Sequence, residues 1–248
     1  MKSPDCPVCA GMGYFLPDVQ HGEPGYGKIR RCPRCDTGLA ARSGLNAQEL
    51  RTDASSIRGS HPMHVLLRWL VGDVLNTPTG WLTLWGNYGT AKTLSAHAIV
   101  AGCVQKAIPA RFYHARTLED GWFRDIHGDS ANGQLYREIP VLCIDEIDKA
   151  NLTNDWTRNK MQELLDTRYR SGLAGETLTI LICQVDPTEH MPGDIVSRMS
   201  DGRFYRKWTA NASNRYTVER WGAQYVPGIV HVEGKDQRPN IPPKGVRS

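Results

Sequence analysis

A chain of 248 residues with 40% hydrophobic content is long enough to bury one substantial α/β core with a small appendage. It holds no apolar run of the roughly 18 residues that a membrane helix needs, and its first residues lack the apolar stretch of a secretory signal. A cytoplasmic protein with no membrane partner is therefore expected. The net charge of +4 is unevenly spread: residues 1–58 carry 8 basic and 6 acidic side chains, residues 59–202 carry 13 and 17, and residues 203–248 carry 9 and 3. The basic surplus at the C-terminal side suits either a nucleic-acid contact or a solvated tail.

Four of the seven cysteines come first in the chain, as Cys6-Pro7-Val8-Cys9 and Cys32-Pro33-Arg34-Cys35, with 22 residues between the pairs. Each C-x-x-C knuckle can offer two thiolates from a tight turn, and together they predict a closed tetrahedral Zn²⁺ site of the structural kind. The segment has few large apolar side chains, so metal ligation would supply most of its folding energy. Disulfides are the alternative, disfavoured by a reducing compartment. Between the knuckles, residues 18–31 are glycine-rich and end in Lys28, Arg30 and Arg31. Residues 40–58 read as a short helix and a polar connector, with a hinge expected near residues 55–62.

The core follows. Val65, Leu66, Trp69, Leu70, Val74 and Leu75 recur at helical spacing, predicting a helix over 64–75 that lies against a sheet. Residues 81–85 form an apolar strand that runs into a glycine loop and a helix over 93–106. A strand over 110–115 and a helix over 117–126 come next, with Trp122 and Phe123 expected to pack rather than to stack on bases. Residues 141–145 are a buried strand, 159–169 a helix with Met161, Leu164 and Leu165 on one side, and 177–183 a fully apolar strand. Residues 204–208 are expected to form the last strand. Strands alternating with helices predict an α/β fold, a parallel sheet sandwiched by helices. Cys103, Cys143 and Cys183 lie in apolar runs and are expected in the core.

The loop Gly86-Asn87-Tyr88-Gly89-Thr90-Ala91-Lys92-Thr93 matches the phosphate-loop pattern G-x-x-x-x-G-K-[ST], except that Ala91 replaces the second glycine. In such loops, consecutive backbone N–H groups and a helix N-terminus point at the β- and γ-phosphates. Lys92 would reach those phosphates, and the Thr93 hydroxyl would ligate Mg²⁺. The extra methyl of Ala91 costs on the order of 1 kcal/mol if the position needs positive φ. An ordinary glycine turn is the plain alternative.

The second motif is Val141-Leu142-Cys143-Ile144-Asp145-Glu146-Ile147-Asp148, an apolar strand delivering acids to the carboxyl edge of a sheet. Asp145 would hold Mg²⁺ through water, and Glu146 would orient and polarise the attacking water. ATP and Mg²⁺ are the cofactors implied, with residues 86–93 and Asp145 binding them.

The order of phosphate loop, Leu142 to Glu146, a helix ending Leu164-Leu165-Asp166-Thr167-Arg168-Tyr169, an apolar strand, and Ile195-Val196-Ser197-Arg198-Met199 resembles the AAA+ ATPases that load replicative helicases, the DnaC/DnaI group of bacteria and their phages. The resemblance covers residues 64–208. It implies an AAA+ P-loop core over 59–208, a small zinc-binding module and linker over 1–58, and a basic, partly disordered extension over 209–248 with a reduced or absent helical lid. Gln184 falls where such ATPases carry a polar sensor for the γ-phosphate or the lytic water. Arg198 matches the arginine finger that completes the site of a neighbouring subunit, so hydrolysis would need self-association through AAA+ interfaces. Arg168 and Arg170 either face a subunit interface or simply complement a helix C-terminus.

The function implied is an ATP-dependent loader of a replicative hexameric helicase onto single-stranded DNA. Two alternatives use the same core: an IstB-like transposition regulator assembling on duplex DNA, and a zinc-containing adaptor with a static nucleotide site.

Overall fold

The computed structural model describes residues 14–15, 30–31, 37–126, 136–207 and 225–233. Its centre is a five-stranded sheet built from β3 (Gly80–Trp85), β4 (Ala110–His114), β5 (Val141–Asp145), β6 (Leu178–Cys183) and β9 (Ile229–His231). The order is β4-β5-β6-β3-β9, with every neighbouring pair parallel. Every residue of β5 and β6 is buried, which is why these stretches read as largely apolar runs.

Alternation along the strands divides the interior into two cores. Leu82, Leu84, Cys143, Ile180 and Ile182 face α2 (Pro62–Asn76) and α3 (Lys92–Gln105). Trp81, Leu142, Ile144, Leu181 and Cys183 face α4 (Ala115–Ile126), α5 (Asp155–Leu173) and, past a single turn α6 (Pro187–His190), the short α7 (Gly193–Met199). Leu66, Leu67 and Leu70 of α2 are sealed from solvent, each contributing about 2 kcal/mol of burial. α2 begins where Pro62 presets its first turn and His61 Nδ1 accepts the Met63 N–H at 3.2 Å; α5 begins under Asn154, whose side chain accepts the Thr157 N–H. No helix among the described residues is long and apolar enough to cross a membrane.

The N-terminal side is strapped to this core. After α1 (Thr37–Arg42), the Phe112 N–H donates to Ser43 O at 2.7 Å, and Gly44 runs so close to β4 that an added Cβ would meet Phe112 O at 2.1 Å. The stretch expected to hinge near residues 55–62 is fastened instead: Ile57 is 1% exposed, and Arg68 Nη1 donates to the carbonyls of Ile57 and Gly59. A buried isoleucine and two held carbonyls oppose hinge motion. Further upstream, β1 (Tyr14–Phe15) pairs antiparallel with β2 (Arg30–Arg31). Cys6, Cys9, Cys32 and Cys35 lie outside the described residues.

A further expectation is corrected. Residues 204–208 do not supply the last strand of the sheet. Phe204 ends a 3-10 turn and is 6% exposed against Trp81 and Tyr169, while Arg206–Lys207 (β7) pairs with Tyr225–Val226 (β8) in a separate ribbon. The fifth strand is Ile229–His231, because Val230 buries beside Leu84 while Val232 N–H donates to Trp85 O at 2.7 Å.

Arg168 faces no subunit interface. Its side chain is fully buried, donating to Thr179 Oγ1 at 2.8 Å and to the carbonyls of Tyr136, Arg137, Ile139, Pro140 and Leu178. Burial pulls the guanidinium down to about 9, so it stays charged at neutral pH. It pins α5 to the start of β5 and to β6. Arg170 is exposed, and residues 208–224 and 234–248, where a helical lid is expected to be reduced or absent, lie outside the described residues.

Candidate nucleotide-binding site

The loop from β3 to α3 sits at the carboxyl edge of the sheet, beside the ends of β5 and β6. It borders a cavity of about 380 Å³ lined by residues 88–94, Asp145, Glu146, Ile182, Cys183 and Gln184. Gly86 has φ +136°, and an added Cβ there would meet Val232 O at 2.3 Å, so backbone freedom and the approach of the segment after β9 both require glycine. Asn87 and Tyr88 form the exposed tip, and Gly89 turns it with φ +75°. Thr90 is buried, its hydroxyl donating to Asn87 O at 2.9 Å.

Ala91 occupies the left-handed region at φ +72°, ψ +15°, immediately before α3. The position demands positive φ, and the alanine bears the strain anticipated from its sequence.

Lys92 is nearly buried and donates through Nζ to Gly86 O and Asn87 O, both at 2.6 Å, and to Thr90 Oγ1 at 3.2 Å. Burial lowers its ammonium below the ordinary lysine value, partly offset by Asp145 and Asp148. A desolvated cation held inside the loop is screened little by bulk water, so an anion placed beside it would be attracted strongly.

The Thr93 hydroxyl lies 3.0 Å from Asp145 Oδ2, and the Glu146 N–H donates to Asp145 Oδ1 at 2.8 Å. Burial raises the Asp145 carboxyl, while these two bonds lower it. A hydroxyl and a buried carboxylate converging on one point form a hard-oxygen set suited to Mg²⁺. The two residues expected to serve the magnesium are therefore together.

Glu146 takes a left-handed conformation, φ +53°, uncommon for a non-glycine residue, at the end of β5. Its Oε1 accepts from Gln184 Nε2 at 3.3 Å, and its Oε2 is 4.0 Å from His114 Nδ1. Gln184 is set in turn by its own N–H, which donates to Asp148 Oδ2 at 3.2 Å. Sequence reasoning overlooked His114. The available signal was its place as the last residue of β4, opposite Asp145 in the register. Cys183 lines the cavity as a buried thiol whose ionisation burial opposes strongly.

Arg198 is not part of this cavity. It lies near the end of α7, its Nη2 paired with Asp166 Oδ1 at 2.6 Å and its Nη1 with Asp194 Oδ2 at 3.5 Å. The structure thus gathers residues 88–93, Asp145, Glu146 and Gln184 and leaves Arg198 elsewhere on the same chain. No group of three or more candidate metal ligands from histidine, cysteine, aspartate and glutamate occurs among the described residues.

No family model matches the sequence, and no characterised protein matches it at significant similarity. Solved structures do resemble it. A DnaC helicase loader superposes with a TM-score of 0.50 at 16% identity, over 76% of this chain and 100% of that one. A DnaI structure gives 0.50 at 14%, over 78% and 94%. The replication initiator DnaA, bound to AMPPCP and single-stranded DNA, gives 0.52 at 15%, over 77% of this chain and 51% of that one. The chain thus spans about half the length of that DnaA structure. At these identities the shared property is the fold, a parallel α/β sheet flanked by helices.

Proposed function

We propose that the chain is an ATP-dependent loader that places a replicative hexameric helicase on single-stranded DNA, working in the cytoplasm as an assembly of AAA+ subunits. The observation that carries the nucleotide part is the convergence of Lys92, Thr93, Asp145, Glu146 and Gln184 on one cavity. Near-complete coverage of the DnaC and DnaI structures supports the loader part.

In this reading ATP lies over the loop with its phosphates at the N-terminus of α3. Lys92 and the loop N–H groups bind the β- and γ-phosphates. Thr93 and Asp145 would hold Mg²⁺, which when bound would neutralise developing charge on the phosphate oxygens. Glu146 orients and polarises the attacking water, and Gln184 steadies its carboxylate. Arg198 of a second copy supplies the missing cation once it leaves Asp166. The state of ATP would then switch helicase ring opening and release.

The knuckles Cys6, Cys9, Cys32 and Cys35 form a structural Zn²⁺ site in a module that grips the helicase. The β1–β2 pairing supports this, because it joins the segment following the first knuckle to the one preceding the second.

The test is deposition. The full chain, incubated with ATP and the replicative helicase of its source, is expected to bind that helicase and raise its occupancy on single-stranded DNA, and a Glu146→Gln variant to bind it and fail to release. No helicase association, together with ATP-dependent filaments on duplex DNA, would overturn the loader reading in favour of a transposition regulator. Equal ATP turnover by native and Glu146→Gln protein would favour a static adaptor.

A further inference from the structure

In the β7–β8 ribbon, Arg206 is opposite Val226 and Lys207 is opposite Tyr225. The two-residue period sends one set of side chains inward. Val226 is 1% exposed, and Arg206 pairs with Asp73 at 2.7 Å while donating to the carbonyls of Thr77 and Thr79. Together with buried Phe204, these contacts fix the ribbon to the end of α2 and the start of β3.

The other face carries Tyr205, Lys207 and Tyr225. The tyrosines are 45% and 48% exposed, two of the few large hydrophobic side chains exposed among the described residues. Lys207 is exposed and has no ion pair among the described residues. Tyr205 is extended immediately before β7, two positions from Lys207, whose cross-strand partner is Tyr225.

We propose that Tyr205, Lys207 and Tyr225 form a contact surface for single-stranded nucleic acid, the two rings stacking unpaired bases and Lys207 meeting a phosphate. The inference rests on the reading that the chain works on single-stranded DNA, and it adds the surface that holds the strand. Charge favours this occupant: residues 203–248 carry 9 basic against 3 acidic side chains, in contrast to the acidic balance of residues 59–202. The residue types agree as well. Exposed aromatic rings beside a cation, on a rigid base, are what sequence-tolerant binding of unpaired bases needs, whereas a packed protein interface calls for a broader apolar patch.

The test uses the full chain with a non-hydrolysable ATP analogue and a fluorescent oligothymidylate of about 15 nucleotides. Tyr205→Ala and Tyr225→Ala are each expected to weaken binding roughly tenfold, and Tyr225→Phe to retain it. Lys207→Ala is expected to reduce the slope of log affinity against log salt by roughly 0.7. Melting temperatures should not move, since all three side chains are exposed. Photocrosslinking through bromodeoxyuridine should label Tyr205 or Tyr225. If wild-type protein binds the oligonucleotide and both alanine variants bind it equally well, the surface is not the contact and the inference fails while the loader reading stands. Loss of helicase association in those variants, with DNA binding intact, would make the face a protein contact and also overturn it. If wild-type protein does not bind single-stranded DNA at all, the functional reading fails and the inference goes with it.

Discussion

The Thr93 hydroxyl donates to Asp145 Oδ2 at 3.0 Å, joining the phosphate loop to the acidic strand across 52 positions of sequence. Asp145 is 3% exposed, and burial raises its carboxyl above the ordinary value, so the folded chain disfavours the charge that a magnesium ion would need. Asp145→Asn removes that disfavoured charge. Its melting temperature without nucleotide is expected to equal or exceed that of wild type. Wild-type protein should gain about 2.7 kcal/mol at a Mg·ATP concentration a hundredfold above Kd, and the variant should lose most of that gain. Thermal unfolding with and without Mg·ATP measures both.

Ala91 at φ +72° poses a balance of two similar terms. Ala91→Gly relieves about 1 kcal/mol of left-handed strain but forfeits about 0.8 kcal/mol from a buried methyl, so stability should change little. Nucleotide affinity should also change little, because the left-handed conformation is already adopted before nucleotide binds. Ala91→Val places a β-branched residue in the left-handed region and is expected to lose more than about 2 kcal/mol along with nucleotide binding. Denaturant unfolding and nucleotide titration of the pair check this.

Arg168 serves only neutral acceptors. Arg168→Leu removes the donor from those carbonyls, of which Pro140 O keeps the Leu178 N–H, and from the Thr179 hydroxyl, at a cost of about 3–5 kcal/mol. Arg168→Lys, with a single donor head, should recover only part of it. Urea denaturation gives the numbers. An interface role predicts instead a stable monomer that fails to assemble.

Glu146 lies between Gln184 and His114, with Gln184 the closer. Gln184→Ala should lower kcat about 100-fold while leaving the dissociation constant for ATP unchanged, since the side chain acts on the glutamate and the water. Gln184→Asn should recover part of the rate. A matching loss of affinity would place Gln184 in ground-state binding instead.

The sequence made the centre of this fold legible for a physical reason. The interiors of β3, β5 and β6 are buried, so each reads as a largely apolar run, and the loop and acids at their ends are fixed by local spacing. The fifth strand was hidden because Ile229–His231 is three residues long and its only signature is a nonlocal pairing with β3. Aromatic residues near Phe204 imitated a strand while serving to cap the core from a turn. Arg168 resembled a helix-end arginine. Its spacing from Met161, Leu164 and Leu165 marked it as part of the same buried stripe, and charge obscured that pattern. Hydroxyl, carboxylate and amide partners around Glu146 were legible by residue type, whereas His114 became visible only through strand register.

Arg198 tests the central claim, because its Asp166 ion pair holds it outside the cavity of its own chain. Arg198→Ala and Glu146→Gln should each abolish ATP turnover alone. In an equimolar mixture, an interface formed by an intact Glu146 from one copy and an intact Arg198 from the next should hydrolyse ATP. Random assembly would restore about a quarter of wild-type turnover, because head-to-tail contacts pair the two sites independently. Recovery near that level, measured by phosphate release in the mixture, is the result expected of a site completed between subunits. A mixture as inactive as its two components, with assembly verified by light scattering, would contradict it.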